Sequence, residues 1–282
     1  MTQKSKKVLL KQRLLEEGWF ETEKEAAAWA MLRRILVDDQ LISSISQRVS
    51  PEAVIRIKEY YKRRYVNKGG LKLEKALAEF RLSVESLPAL DCGASTGGFT
   101  DCLLQHGASL VYAVDAGHGQ LAGKLLIDPR AANLENTNIS DEGLLRLDPT
   151  PRFVTLDLSY LSLKKAVPTA LEILHGQGAL VCLIKPIFEV EDSEIRRTGG
   201  INSPEIHEII LQDLIRFFRG LDLAVTGLTH SPVRGNNDTI EYLAALSTDT
   251  DQDKTSQIES EITQIIENAF TLDKFKKNDA AN

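Results

Sequence analysis

The 282-residue chain predicts an α/β fold: a doubly wound, mostly parallel sheet preceded by a small α+β domain. Three observations carry that expectation. From residue 71 onward, short apolar runs alternate with helical stretches. Several of those runs end in a charged residue where a strand would give way to a loop. The first two are separated by a glycine-rich turn that opens a helix, as in nucleoside-binding α/β units.

The smaller domain is read over residues 1–58. Residues 7–18 carry the helical stripe Val8, Leu9, Leu14 and Leu15, with Gly18 as the stop. Thr22 followed by Glu25 is a capping box for a second helix through Ala26, Ala27, Ala30, Met31 and Leu32, ending at Arg33-Arg34. Residues 35–37 and 53–57 read as short strands, with Val37-Asp38-Asp39-Gln40 as a turn. Residues 1–75 hold 17 Lys+Arg against 10 Asp+Glu, and the remainder 17 against 30. A basic module on an acidic body suits an RNA- or DNA-binding attachment, the alternative being an uneven solvated surface. Lys11, Arg13, Arg33, Arg34 and Arg48 are the candidate phosphate contacts. Residues 59–70 form a basic linker in which Lys62, Arg63, Arg64 and Lys68 interleave with Tyr60, Tyr61 and Tyr65. That mixture suits a nucleic-acid strand bound by charge and stacking.

The larger domain is read over residues 71–247. Gly69-Gly70 breaks the chain before a helix bearing Leu71, Leu73, Leu77 and Phe80. An apolar run then ends at Asp91, and the turn through Gly93, Ala94, Ser95, Thr96, Gly97 and Gly98 leads into a helix with Phe99, Leu103 and Leu104. A second apolar run ends at Asp115, 24 residues after Asp91, a spacing that suits recognition of a ribose diol. The Asp-x-Gly-x-x-x-Gly-Gly pattern lacks the turn that packs a helix on pyrophosphate, which excludes a nicotinamide dehydrogenase. An acidic strand end would instead accept hydrogen bonds from an amine, such as that of S-adenosylmethionine. The candidate cofactor set is therefore Asp91, Gly93, Ala94, Ser95, Thr96, Gly97, Gly98, Phe99 and Asp115. Further strands are expected at 131–134, 152–156 (ending at Asp157), 178–184 (ending at Lys185), 223–229 and 239–245. Helices are expected at 163–174 and from Ser203-Pro204, serine as cap and proline at the first helical position.

Composition bounds the rest. At 43% hydrophobic the chain can bury a full core. It has no run of 18 apolar residues, and its basic start leads into an amphipathic segment rather than a signal core. Cys92, Cys102 and Cys182 match neither a disulfide framework nor a zinc site, which suggests a reduced, cytoplasmic chain with cysteines as core filling. No metal spacing links His106, His175, His207 and His230. Residues 248–282 read as an acidic segment followed by an amphipathic helix with Ile258, Ile262, Ile265, Ile266, Ala269 and Phe270 docked on the body.

Five ordered motifs make the reading specific: Tyr65-Val66-Asn67-Lys68-Gly69-Gly70-Leu71-Lys72-Leu73, Asp91-Cys92-Gly93-Ala94-Ser95-Thr96-Gly97-Gly98-Phe99-Thr100-Asp101, Ala113-Val114-Asp115-Ala116-Gly117-His118-Gly119-Gln120-Leu121, Asp157-Leu158-Ser159-Tyr160-Leu161-Ser162-Leu163 and Lys185-Pro186-Ile187-Phe188-Glu189. Together they resemble the TlyA, or haemolysin A, family of ribosomal RNA 2′-O-methyltransferases over about residues 6–246. The resemblance implies an S4-like RNA-binding domain joined to an FtsJ-type domain, S-adenosyl-L-methionine as cofactor, and cytidine in ribosomal RNA, free or within a ribosomal subunit, as substrate. It also implies a catalytic tetrad, which falls on Lys72, Asp157, Lys185 and Glu241. Lys185 would accept or polarise the hydroxyl proton. A free lysine titrates near 10.4 and is a poor base while protonated, so its neighbours must free it. Arg196-Arg197-Thr198-Gly199-Gly200 would close over substrate.

Two features depart from the family pattern. His118 stands where the family carries an aromatic residue, and Gly235-Asn236-Asn237-Asp238-Thr239-Ile240 is a longer, more polar approach to Glu241. The latter motivates a second reading, a non-catalytic RNA-binding or ribosome-assembly factor, which failure to bind S-adenosylmethionine would favour. A membrane-active haemolysin is a third reading, opposed by the absence of an apolar span or a strongly basic amphipathic helix.

Overall fold

The computed structural model describes residues 7–20, 22–57, 64–190, 201–235 and 238–272. Lys62 and Arg63, the Arg196 to Gly200 stretch, and Asn236-Asn237 lie outside the described residues. The chain divides into two compact units between Arg64 and Tyr65.

The first unit contains strand β1 (Val8–Leu9), helices α1 (Leu10–Glu16) and α2 (Glu23–Met31), and strands β2 (Ile35–Val37), β3 (Gln40–Ile42), β4 (Arg48–Val49) and β5 (Ile55–Ile57). It forms a two-stranded sheet, β1-β4, and a three-stranded one, β3-β2-β5. Leu10, Leu14, Ala26, Ala30 and Ile35 are fully buried between helices and strands. This α+β unit fits the S4-like expectation. Thr22 caps α2 by accepting from the Glu25 N–H at 3.2 Å. Val8 and Leu9 are strand rather than helix, because pairing with Val49 and Arg48 satisfies their backbone before α1 begins. Helix α2 stops at Met31, two residues early, where Arg33 turns left-handed at φ 53°.

The acidic turn has a structural cause. Asp38 (φ 50°) and Asp39 (φ 63°) are both left-handed, as a two-residue hairpin between right-twisted strands demands, and aspartate tolerates that region better than most side chains. Asp38 Oδ1 accepts from the Val54 N–H and Asp39 Oδ1 from Arg56, each at 2.9 Å. Both carboxylates tie β5's approach to the hairpin.

The second unit is built on a seven-stranded sheet in the order β11-β12-β10-β9-β6-β7-β8. Its strands are β6 (Pro88–Cys92), β7 (Leu110–Val114), β8 (Ala131–Leu134), β9 (Phe153–Leu156), β10 (Ala179–Ile184), β11 (Ala224–His230) and β12 (Tyr242–Ser247). Helices α3 (Gly69–Phe80), α4 (Gly98–Gln105), α5 (Gly123–Leu126), α6 (Leu163–Ile173), α7 (Pro186–Glu189), α8 (Pro204–Arg219) and α9 (Thr255–Thr271) accompany them. Strands β6 to β10 pair in parallel, as the alternating pattern predicts. Strand β12 inserts antiparallel between β10 and β11. Two apolar clusters sandwich the sheet, and all three cysteines are fully buried within them.

Helix α9 docks through Ile258, Ile262, Ile266 and Ala269. His207 of α8 joins that contact, 2.6 Å from the Tyr242 hydroxyl and 5.1 Å between ring centres from Phe270. Burial lowers the His207 pKa to about 4, so the imidazole is neutral at physiological pH and serves packing. No helix among the described residues is long and apolar enough to cross a membrane.

Candidate active site

The chain runs outward from β6 to β7 and β8 in one direction and to β9 and β10 in the other. The C-terminal ends of β6 and β9 therefore flank the crevice where an open α/β sheet binds ligands. Gly93 leaves β6 with φ 87°, and a Cβ there would lie 2.3 Å from the Asp157 carbonyl oxygen. Only glycine lets the two strand ends approach so closely.

Two clefts meet at that point. The larger, of about 400 Å³, is lined by Cys92, Gly93, Ser95, Asp115, Gln120, Thr137, Asn138, Ile139, Asp157, Leu158 and Lys185 among others. The smaller, of about 270 Å³, is lined by Asn67, Lys68, Gly69, Lys72, Gly93, Ala94, Ser95, Gly98, Phe99, Asp157, Lys185 and Glu241. Gly93, Ser95, Asp157 and Lys185 line both. Lys72, Asp157, Lys185 and Glu241, widely separated in sequence, thus share the smaller cleft.

They form two ion pairs of different character. Lys72 Nζ donates to Glu241 Oε2 at 2.5 Å, and both residues are buried, at 5% and 4% exposure. Lys185 Nζ lies 2.6 Å from Asp157 Oδ1 and donates to the Leu158 carbonyl at 3.0 Å, in a more open setting. Asp157 and Lys185 follow parallel strands β9 and β10. Glu241 reaches the same edge by preceding β12, whose first residue, Tyr242, faces Ile184 at the end of β10. Lys72 comes from α3, whose start is built by close packing: a Cβ on Gly70 would fall 2.2 Å from the Tyr65 ring.

Asn67 fastens this start to the glycine-rich turn. Its Oδ1 accepts from the Gly69 N–H at 2.6 Å, and its Nδ2 donates to Thr96 Oγ1 at 2.6 Å. A Cβ on Gly98 would strike Asn67 Oδ1 at 2.0 Å. Thr96 and Gly97 are not among the residues lining either cleft. Asp115 carries its carboxylate at the end of β7, accepting from the Ser95 N–H at 2.8 Å and the Gly117 N–H at 2.7 Å.

Asp91 departs from the expected role. It is fully buried, lines neither cleft, and accepts from the hydroxyls of Thr100 at 2.6 Å and Thr155 at 2.8 Å. Side chains alternate along a strand, and Asp91's points at the Thr100 and Thr155 hydroxyls within the sheet's packing. Burial raises its pKa to about 6. The folded state thus holds this proton more tightly than the unfolded chain, whose carboxyl titrates near 3.9. Asp91's contribution to stability is therefore fully present below about pH 4 and declines as pH rises to about 6. Urea titrations at pH 4 and 7 are expected to show the stability difference between wild type and Asp91→Asn moving by up to about 3 kcal/mol toward the variant at pH 7.

The basic candidates separate similarly. Arg13 is a strut, donating to the Ser50 and Ala53 carbonyls at 2.9 Å each and to Glu17 at 2.6 Å. Lys11 pairs with Glu23, Arg48 donates to the Lys7 carbonyl, and Arg34 lies over the Trp29 ring. Lys68 departs from the linker role. It lines the smaller cleft and donates to the Arg234 carbonyl at 2.8 Å, with burial and then Lys72 lowering its pKa. Thr137 and Asn138, missed in the sequence, follow the weak strand β8. Their polar run directly after a strand was the available signal. His118 is exposed and pairs with Glu135 at 2.9 Å.

Residues 65–248 match the FtsJ-like methyltransferase family. Hemolysin A of Brachyspira hyodysenteriae is 37% identical over 81% of this chain and 95% of its own. The 16S/23S rRNA (cytidine-2′-O)-methyltransferase TlyA of Mycobacterium tuberculosis is 31% identical over 85% and 89%. A solved structure from Streptococcus thermophilus aligns with a TM-score of 0.71 at 36% identity, covering 96% of this chain and 98% of that one. With its motifs in order and its clefts joined at the sheet's switch point, the chain belongs to the FtsJ-like methyltransferase family, in the group that includes TlyA and hemolysin A.

Proposed function

We propose that this protein transfers a methyl group from S-adenosyl-L-methionine to a ribose 2′-hydroxyl of ribosomal RNA, with cytidine as the target nucleoside. The observation that carries this reading is the Asp157–Lys185 pair at the junction of two clefts, one sized for a nucleoside cofactor and one lined by lysines and acids. A cleft of about 400 Å³ is within the range of cofactor sites. The residues fit the cofactor: Asp115 has lone pairs left for a ribose diol after its two backbone donors, and Gly93 leaves room at the junction. When bound, the cofactor supplies an electrophilic methyl group.

The chain's own residues then position and deprotonate the acceptor. Lys185 would accept or polarise the hydroxyl proton, the new O–C bond forming as the donor's S–C bond breaks. Asp157 stabilises the resulting ammonium in the pair seen at 2.6 Å. Lys72 and Glu241 hold the nucleotide side of the smaller cleft. Charge is dispersed rather than created as the donor loses its positive charge, so alignment supplies much of the acceleration. The N-terminal unit would add salt-sensitive phosphate contacts through Lys11, Arg33, Arg34 and Arg48, and the basic linker further ones through Lys62, Arg63 and Arg64. A cytoplasmic setting follows from that substrate.

Ribose methylation mapped in ribosomal RNA from cells with and without the protein is expected to show a cytidine modified only in its presence. Identical maps, together with no transfer in vitro from labelled S-adenosylmethionine to ribosomal RNA or subunits, would overturn the reading.

A further inference from the structure

The segment joining β11 to β12 delivers Glu241 to the cleft, and it is held from two sides. On the α3 side, Lys75 Nζ donates to the His230 carbonyl at 2.8 Å, where the segment begins. Two turns away, at the N-cap of α3, Lys68 Nζ donates to the Arg234 carbonyl at 2.8 Å and the Gly235 carbonyl at 3.5 Å. On the α9 side, the Arg234 guanidinium donates to the Leu272 carbonyl at 3.3 and 3.0 Å and to the Asp238 carbonyl at 3.2 Å. Gly235 N–H donates to the Thr239 carbonyl at 2.8 Å, closing the segment on itself.

These tethers seat Gly235 directly against the Glu241 carboxylate. A Cβ on Gly235 would fall 2.2 Å from Glu241 Oε1 and 2.6 Å from Thr239 Oγ1, while the glycine's φ lies outside the left-handed region. Glycine is needed there for space, not for backbone conformation. The backbone of residue 235 is thus one wall of the Glu241 pocket, and Lys68 holds that wall.

We propose that Lys68 is a positioning residue for methyl transfer: by binding the Arg234 and Gly235 carbonyls, it seats Gly235 behind Glu241 and keeps that carboxylate on Lys72. This rests on the methyl-transfer reading of the cleft. It replaces the phosphate contact that the basic linker suggested. An ammonium committed to two carbonyls beside Lys72 is poorly placed to follow an RNA backbone.

Steady-state methylation of ribosomal RNA and hydrogen–deuterium exchange over residues 231–241 test it in Lys68→Met, Lys68→Arg and Gly235→Ala. Lys68→Met is expected to lower kcat roughly 10- to 100-fold, the scale of ångström-level misplacement. KM for RNA and its salt dependence should stay near wild type, and exchange over 231–241 should rise. Lys68→Arg, which keeps a donor, should recover most of kcat. Gly235→Ala should reproduce the kcat loss with Lys68 intact, which keeps the proposal exposed if Lys68→Met folds poorly. A raised KM with a salt slope reduced by about one, and kcat retained, would make Lys68 a phosphate contact instead. Unchanged exchange in Lys68→Met, or unchanged kcat in Gly235→Ala, would also overturn it. If wild type methylated no RNA while Lys68→Met still raised exchange, the tether would stand and the substrate reading would fall.

Discussion

Replacing Lys185 with alanine is expected to lower kcat by about 10²- to 10⁴-fold, the usual contribution of a positioned acid–base group, while the protein stays folded. Lys185 sits at the end of β10 in a partly open setting, and Asp157, left behind, keeps access to water at 23% side-chain exposure. The stability cost should accordingly be small, of the order of an exposed ion pair, about 0–1 kcal/mol. Lys185→Arg separates chemistry from structure. A guanidinium can pair with Asp157 and the Leu158 carbonyl, but it does not give up its proton near neutral pH. An arginine variant that is folded, binds S-adenosylmethionine and is inactive supports the proton-accepting role. Substantial turnover in Lys185→Arg would reduce the residue to a structural partner. Transfer from labelled S-adenosylmethionine, with calorimetric binding alongside, provides both readouts.

Replacing Lys72 is expected to act on stability as well as activity. Glu241 is 4% exposed and its carboxylate is held by the Lys72 ammonium at 2.5 Å. Removing one partner of a buried pair leaves an uncompensated charge, typically at a cost of about 3–5 kcal/mol. Lys72→Met should show a loss on that scale in urea unfolding. Adding Glu241→Gln removes the orphaned charge, so the double variant should recover at least half of the loss. Neither variant should methylate RNA. An active double variant would show that the pair only supports the cleft, and additive effects with no recovery would show that the two side chains are not coupled.

Much of the larger unit was legible because its determinants are local. Parallel strands buried on both faces read as short apolar runs, so the extents of β7, β8 and α6 follow almost residue for residue from the pattern. The smaller unit was less legible. Its strands are two or three residues long, too short for a period to register, and β3 and β4 went unread. Val8 and Leu9 have the spacing of a helical stripe but are taken by β4, a partner some 40 residues on.

The site divides in the same way. Asp115, Asp157 and Lys185 could be read as strand-end residues because strand termini are set by local hydrophobic runs. Their roles follow once adjacent parallel strands end at one edge. The sequence by itself determined the fold class, the glycine-rich turn and the order of strand ends, and the resemblance of its motifs implied the four charged residues of the smaller cleft. Only the tertiary structure decided that Asp91 is fully buried against two threonine hydroxyls, that Arg13 and Lys68 donate to backbone carbonyls, and that antiparallel β12 brings Glu241 onto Lys72. Burial and hydrogen-bond partnership depend on which distant segments pack together, and neither is encoded in the spacing of residues along one strand or helix.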